Sequence, residues 1–133
     1  MIRTKSQADA HVYSQLKQMK SKQERMLKGY SFAKIYHDIK EYKIAANHLL
    51  DFLSVKDNFA PAHKLLGQIY EATKADNAQI LKAYKKSYDI DSTQTDILLK
   101  ICELYSQMPA DNDVKELELL LVGSSTWDMF LAV

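Results

Sequence analysis

Four histidines and one cysteine are the side chains in this sequence that could hold a metal ion or act as a nucleophile. The histidines occur at no metal-binding spacing such as H-x-x-x-H; they are His11, His37, His48 and His63. Cys102 is the only cysteine, so it cannot complete a cysteine-rich zinc set or form an internal disulfide. We therefore expect no metal site.

Phosphate-binding and calcium-binding loops are not supported by the sequence either. Neither G-x-x-x-x-G-K-[ST] nor G-x-G-x-x-G occurs. Asp89, Asp91 and Asp96 superficially resemble a calcium loop, but the glycine and terminal glutamate of such a loop are missing and helix capping is favoured. Cys102 is interpreted as a core residue rather than a reactive thiol. We expect no catalytic residue, no cofactor and no enzymatic activity.

The composition favours helices. The 133 residues contain three glycines and two prolines, whereas all-β folds need turn formers every ~8–12 residues. The length is that of a single domain, and 47% hydrophobic with 26% charged residues is ordinary for a soluble protein. The basic start has no apolar core behind it, and no run approaches the ~18 apolar residues of a membrane span. We expect a soluble, intracellular chain without membrane insertion.

Charge is distributed unevenly along the chain. Residues 1–28 hold seven bases against two acids (7 − 2 = +5), and residues 89–133 hold nine acids against two bases (2 − 9 = −7). A basic surface for single-stranded RNA is one interpretation, and solvated helix faces are the other. The residues predicted for that surface are Lys17, Lys20, Lys22, Arg25 and Lys28.

A short motif recurs at a nearly constant interval. Leu66-Gly67-x-x-Tyr70 matches Phe32-Ala33-x-x-Tyr36 34 positions earlier and Ile101-Cys102-x-x-Tyr105 35 positions later. A small residue at a fixed offset from a tyrosine, repeated at this period, is typical of tetratricopeptide (TPR) repeats. Each unit is a helix pair, and the small residue lets the second helix press against the first.

We predict an all-α solenoid of three TPR helix pairs, preceded by an N-terminal helix and followed by a short apolar segment. Residues 1–25 are assigned to a basic N-terminal helix or cap, with a helix over about 7–24 that starts at a capping box of Ser6 and Asp9. The predicted boundaries are 26–122 for the three repeats (26–59, 60–94 and 95–122) and 123–133 for a fourth unit or C-terminal cap. Because solenoid ends normally have a polar outer face, the apolar stretch Trp127–Val133 predicts a continuation, a partner or self-association.

In TPR proteins the first helix of each pair lines a concave groove. The repeat register predicts these residues for partner binding: Tyr30, Lys34, His37, Lys64, Gln68, Glu71, Leu99 and Glu103. Chaperone-binding TPR domains resemble one another in a Lys/Asn/Lys/Arg clamp for a peptide carboxylate. Tyr30, Leu65 and Leu99 stand at clamp-type positions here, which disfavours a carboxylate-binding cochaperone.

Several strings resemble the giant Ran-binding nucleoporin of the pore's cytoplasmic filaments, the Ran-binding protein 2 family. They are Lys28–Tyr36 and Lys40–Tyr42 for the first repeat of that family, Ala62–Glu71 and Tyr84–Ser87 for the second, and Thr93–Ile101 for the third. The resemblance is good from about Lys28 to Leu104 and weak over 1–27 and 106–122. It is more specific than the repeat motif because it includes surface residues that packing does not dictate.

The resemblance implies an N-terminal TPR domain that helps attach the filament protein to nuclear pore scaffold proteins and supports nucleocytoplasmic transport. It also implies localisation at the cytoplasmic face of the nuclear pore, with a possible contact to single-stranded RNA in mRNA export. The family's Ran-binding domains, Phe-Gly repeats, zinc fingers and SUMO-ligase segment have no counterpart in this sequence. The alternative expectation is a free cytosolic TPR adaptor that binds a peptide or helix.

Overall fold

Seven α-helices and no strand make up residues 1–107, which are the residues that the computed structural model describes. The helices are α1 (Lys5–Lys17), α2 (Lys22–Leu27), α3 (Gly29–Asp38), α4 (Tyr42–Val55), α5 (Ala60–Ala72), α6 (Asn77–Ile90) and α7 (Thr95–Ser106). The all-α prediction is confirmed over this range. The rest of the third predicted repeat, 108–122, lies outside the described residues. The predicted segment 123–133, with Trp127–Val133, also lies outside them.

The N-terminal region differs from its prediction. Instead of one helix over 7–24, α1 ends at Lys17 and α2 begins at Lys22. Ser21 is extended and accepts a hydrogen bond from the Glu24 amide at 3.1 Å, while the Glu24 carboxylate accepts one from the Lys20 amide at 3.1 Å. Ser21 therefore caps α2, and Glu24 satisfies the amide of the residue before the cap, so a new helix starts here with its free backbone donors bonded.

The predicted capping box of Ser6 and Asp9 is also wrong, by two residues. Thr4 caps α1, and Gln7 completes the capping box from the first turn. Asp9 instead makes a tertiary contact, accepting a 2.5 Å hydrogen bond from the Tyr36 hydroxyl. That contact ties α1 to α3 and lowers the pKa of Asp9 below its usual value.

Helices α3 to α6 form two successive antiparallel pairs. The hydroxyl of Ser87, late in α6, donates to the carbonyl of Ala60 at the start of α5 at 2.9 Å. In the first pair, Tyr30 near the start of α3 lies beside Phe52 near the end of α4, with 5.9 Å between ring centroids. Consecutive helices therefore fold back on each other across short turns.

The turns inside the two pairs have the same geometry. Lys40 follows α3 and Lys74 follows α5, and both have a left-handed backbone with φ of 65° and 57°. In each turn the next amide reaches back across the helix end, from Glu41 to the Tyr36 carbonyl and from Ala75 to the Tyr70 carbonyl, at 2.9 Å. A left-handed residue at this position ends a helix, because it turns the next amide back towards a carbonyl group of the last helical turn. The turn recurs 34 residues along the chain, which matches the sequence period.

Two apolar clusters hold the helices together. One is formed by α1, α3, α4 and α5 together with Ala83 of α6, and it includes Phe32, Leu49 and Leu66. The other is formed by α6 and α7 and includes Tyr84 and Ile101, while Tyr70 of α5 packs against both clusters. The two clusters are therefore connected through α5.

Close approach within each pair depends on glycine. A Cβ added at Gly67 would lie 2.7–2.9 Å from the ring of Tyr84 on α6, and one at Gly29 would collide with the backbone carbonyl of His48 on α4. The predicted role of Gly67, to let the second helix press against the first, is confirmed. No helix among the described residues is long and apolar enough to cross a membrane.

Alanine in place of Gly67 is expected to lower the free energy of unfolding by about 1–3 kcal/mol, because the methyl group overpacks the contact with Tyr84. Gly29→Ala should cost more, because its obstacle is a backbone carbonyl that moves only if α4 moves. Urea denaturation followed by circular dichroism measures both changes. The matched control is Gln68→Ala, an exposed neighbour on α5, which should stay within about 0.5 kcal/mol. Equal stability of Gly67→Ala and the parent chain would contradict the close-packing role.

Candidate functional site: a polar groove on α3 and α5

The largest set of predicted binding residues meets in one groove between α3 and α5. This polar groove has a volume of about 400 Å³ and is lined by Tyr30, Lys34, His37, Asp38, Pro61, Lys64, Leu65, Gln68 and Gln94. Five of the eight predicted partner-binding residues are among them. The three that do not line it are Glu71, Leu99 and Glu103.

The α3 side of the polar groove carries an aromatic ring and a free cation. Lys34 is exposed, and its ammonium nitrogen lies 5.5 Å from the centre of the Tyr30 ring. Within residues 1–107, Lys34 makes no ion pair. Tyr30 is half-buried and packs edge-on against Phe59 at 5.2 Å, so it also has a structural role. His37 sits 3.6 Å from the carboxylate of Asp38.

The α5 side is more constrained. Lys64 donates to the carboxylate of Asp96 on α7 at 3.0 Å, and this hydrogen bond lowers the pKa of Asp96 below its usual value. Gln68 is exposed and, among the described residues, its side-chain amide makes no hydrogen bond. The groove therefore offers a ligand the Lys34 cation, the Gln68 amide and the ring of Tyr30, beside the exposed carboxylate of Asp38.

Glu71 has a different environment from the one predicted. Its carboxylate accepts hydrogen bonds from the Tyr84 hydroxyl of α6 and from Lys100 of α7, the latter at 3.0 Å. Glu71 raises the pKa of Lys100, and burial together with Glu71 raises that of Tyr84. Both donors keep their protons at neutral pH, so Glu71 joins three helices.

The two α7 positions stand apart from the polar groove. Leu99 is 68% exposed, and Glu103 lies 3.6 Å from Lys100 on the surface of the same helix. Cys102 is half-buried on α7, and burial raises the pKa of its thiol. A raised pKa is the opposite of what a nucleophilic cysteine needs.

Four residues that line the polar groove are not among the eight predicted ones, namely Asp38, Pro61, Leu65 and Gln94. Asp38 ends α3, and the repeat register does not predict it because it falls beside the groove positions. The Gln94 amide donates to the carbonyls of Ser87 and Asp91 at 3.1 and 2.9 Å, which holds its side chain across the end of α6. No sequence pattern indicates that contact, because it joins residues on either side of a helix end.

The five predicted basic residues are all exposed, but they span the break between α1 and α2. Lys17 lies over the ring of Tyr13, 4.6 Å from its centre, and Tyr13 is 62% exposed. Arg25 donates to the backbone carbonyl of Met19 at 3.3 Å, so it also supports the connection between the two helices. Among residues 1–107, no group of three or more His, Cys, Asp or Glu side chains could hold a metal ion.

Replacing Glu71 with glutamine should lower the free energy of unfolding by about 1 kcal/mol, because it weakens two hydrogen bonds to a carboxylate that is 32% exposed. The pKa of Lys100 should then fall towards its ordinary value, since Glu71 is the main cause of its rise. Thermal unfolding and side-chain NMR titration measure the two effects. Glu103→Gln is the control, because Glu103 is 66% exposed and lies farther from Lys100. Equal effects of the two substitutions would contradict the assigned role of Glu71.

Comparison with known proteins identifies relatives for most of the chain. No protein-family model matches it. RANBP2-like and GRIP domain-containing protein 8 of Homo sapiens is 32% identical over 116 residues, which are 87% of this chain and 6% of that protein. E3 SUMO-protein ligase RanBP2 of Homo sapiens is 30% identical over 116 residues, again 87% of this chain but 3% of the relative. RANBP2-like and GRIP domain-containing protein 2 of Homo sapiens is 34% identical over 92 residues, which are 69% of this chain and 5% of the relative.

These matches support the RanBP2 family, in agreement with the resemblance of the sequence strings. The chain spans only 3–6% of the length of these curated relatives. The similarity therefore concerns one short helical segment of very long proteins.

Proposed function

We propose that this chain is a non-enzymatic TPR interaction segment of the RanBP2 family that helps to anchor a filament protein to the nuclear pore. Two helix pairs with the same left-handed turn 34 residues apart support the TPR assignment. The 30–34% identity to RanBP2 and RanBP2-like proteins supports the family. The ligase activity in the name of RanBP2 would then lie outside this segment.

The observation that carries the proposal is the polar groove. It brings residues from the first helix of two successive pairs onto one concave face. Among the described residues, the Lys34 ammonium contacts the Tyr30 ring but makes no ion pair, and the Gln68 amide makes no hydrogen bond. A groove of this kind binds a peptide segment or helix through a few polar contacts and one aromatic contact. Its occupant would be a nuclear pore scaffold protein, and the chain would sit at the cytoplasmic face of the pore.

Affinity purification of the full tagged chain from a nuclear envelope extract, followed by mass spectrometry, tests this function. We expect enrichment of nuclear pore scaffold proteins and a loss of about tenfold or more with Lys34→Glu, since that change reverses the free cation of the groove. Lys43→Glu makes the same charge change on the exposed surface of α4 and should leave recovery unchanged.

The outcomes separate the two parts of the proposal. Absence of pore proteins from the parent sample would contradict the pore function. Equal recovery with Lys34→Glu would keep the pore function and reject the polar groove as its site. Recovery of one tight peptide ligand from cytosol, without pore proteins, would instead favour the cytosolic adaptor.

Single-stranded RNA binding is the second candidate, and the pairing of Tyr13 with Lys17 favours it. An exposed ring can stack on a base while neighbouring cations bind phosphates. Lys20, Lys22 and Lys28 are exposed along the same stretch. This surface is separate from the polar groove, so the two functions can be tested independently.

Reversing three of these charges should weaken RNA binding. We expect Lys20→Glu, Lys22→Glu and Lys28→Glu together to weaken binding of a labelled oligouridine by tenfold or more, as measured by fluorescence anisotropy, and binding by the parent chain to weaken steeply with salt. Arg25 is kept because it supports the connection to α2. The control reverses Lys82, Lys85 and Lys86 on α6 and should retain binding. Salt-independent binding, or equal losses in both variants, would reject the RNA surface.

A further inference from the structure

A second and larger groove lies between α4 and α6. It has a volume of about 910 Å³ and shares no lining residue with the polar groove. Leu66 and Tyr70 of α5 form its floor, and Leu50 and Leu53 of α4 form one wall. We call it the apolar groove. The second helices of two successive pairs therefore enclose a cavity over the first helix of the later pair.

The α4 wall exposes apolar surface. Leu50 is 48% exposed, and Leu53 beside it is half-buried. Tyr70 on the floor is also half-buried. Single exposed apolar residues are common, but an exposed leucine that continues into a half-buried leucine and tyrosine within one concavity is typical of a binding surface.

The α6 wall is basic. Lys82, Lys85 and Lys86 line the apolar groove from one face of α6, at the spacing of successive helical turns. Within residues 1–107, none of these lysines makes an ion pair with a carboxylate. Among the lining residues that the structure describes, Asp89 is the only acid, and it lies at the end of the same stripe. One wall is thus apolar, and the other carries three lysines and one aspartate, a formal excess of positive charge (3 − 1 = +2).

The difference between the apolar α4 wall and the basic α6 wall indicates which kind of ligand fits the groove. We propose that the apolar groove is a docking surface for an amphipathic α-helix of a partner protein, with an apolar face and acidic residues along one flank. The apolar face would rest on Leu50, Leu53 and Leu66, and the acidic flank would face the lysines of α6. The α6 residues that line the groove run from Ala78 to Asp89, which is about 16 Å of helix, so about three turns of the partner fit.

A designed peptide tests the proposal on the full chain. The probe is a labelled 18-residue helical peptide with leucines at positions i, i+4, i+7 and i+11 and glutamates along one flank only. We expect fluorescence anisotropy to show saturable binding that weakens as salt rises, because the charge pairs are exposed. The matched peptide with lysines on that flank should bind at least about tenfold more weakly.

Variants of the chain locate the binding. Simultaneous Lys82→Glu, Lys85→Glu and Lys86→Glu should weaken the glutamate peptide at least about tenfold and should improve the lysine peptide. The same three reversals at Lys20, Lys22 and Lys28 are the charge-matched control. Leu50→Ser should also weaken binding, whereas Leu99→Ser, at another exposed leucine, should not. Circular dichroism confirms that each variant remains folded.

The other outcomes overturn the proposal. Absence of binding by the glutamate peptide, or equal binding of both peptides, rejects the surface. If light scattering shows that the α6 reversals dissociate a dimer of the parent chain, the groove holds a second copy instead. If replacing Asp111, Asp113, Glu116 and Glu118 by their amides raises peptide affinity, the chain's own acidic segment occupies it. None of these results changes the outcome expected for Lys34→Glu, so this inference and the proposed function can fail separately.

Discussion

The close approach of paired helices is the constraint on which the rest of this structure depends. Gly67 allows the ring of Tyr84 to lie directly against α5, and Gly29 allows α4 to bring a backbone carbonyl against the start of α3. With the pairs held this tightly, Tyr84 is almost fully buried and its hydroxyl reaches Glu71. The side chains used for packing point into the pairs, and the opposite faces of α3 and α5 remain polar. The polar groove is a consequence of that division.

Contacts between successive pairs then fix the surfaces relative to one another. Lys64 and Asp96 join α5 to α7, and Lys100 and Glu71 make a second connection between the same helices. At the other end, the hydrogen bond from Tyr36 to Asp9 joins α1 to α3. Two of these six residues, Lys64 and Glu71, are also predicted to bind a partner, and in the structure both make contacts between helices. Lys34, Gln68 and Tyr30 are therefore the residues of the polar groove that we expect to contact a partner.

The sequence predicts this fold well where the repeat fixes the register. The repeat interval of 34 residues recurs in the two left-handed turns at Lys40 and Lys74, and Lys34 and Gln68 line one groove because both occupy the same repeat position. Prediction fails at the break between α1 and α2. Apolar residues such as Val12 and Met19 keep helical spacing across that break, so the apolar pattern does not indicate where α2 begins. The capping pair Ser21 and Glu24 was the available signal. The apolar groove could not be predicted, because it depends on how Leu50 of one pair faces Lys82 of the next.

The central claim is that the concave face carries recognition, while the repeat motif itself serves packing. Site-specific photocrosslinking in cells tests it most directly, with the crosslinking amino acid placed at position 34 in the full chain and, as a control, at the exposed position 43 on α4. The account predicts covalent adducts with a nuclear pore scaffold protein from position 34 and none from position 43. Adducts from position 43 alone, or from neither position, would contradict it.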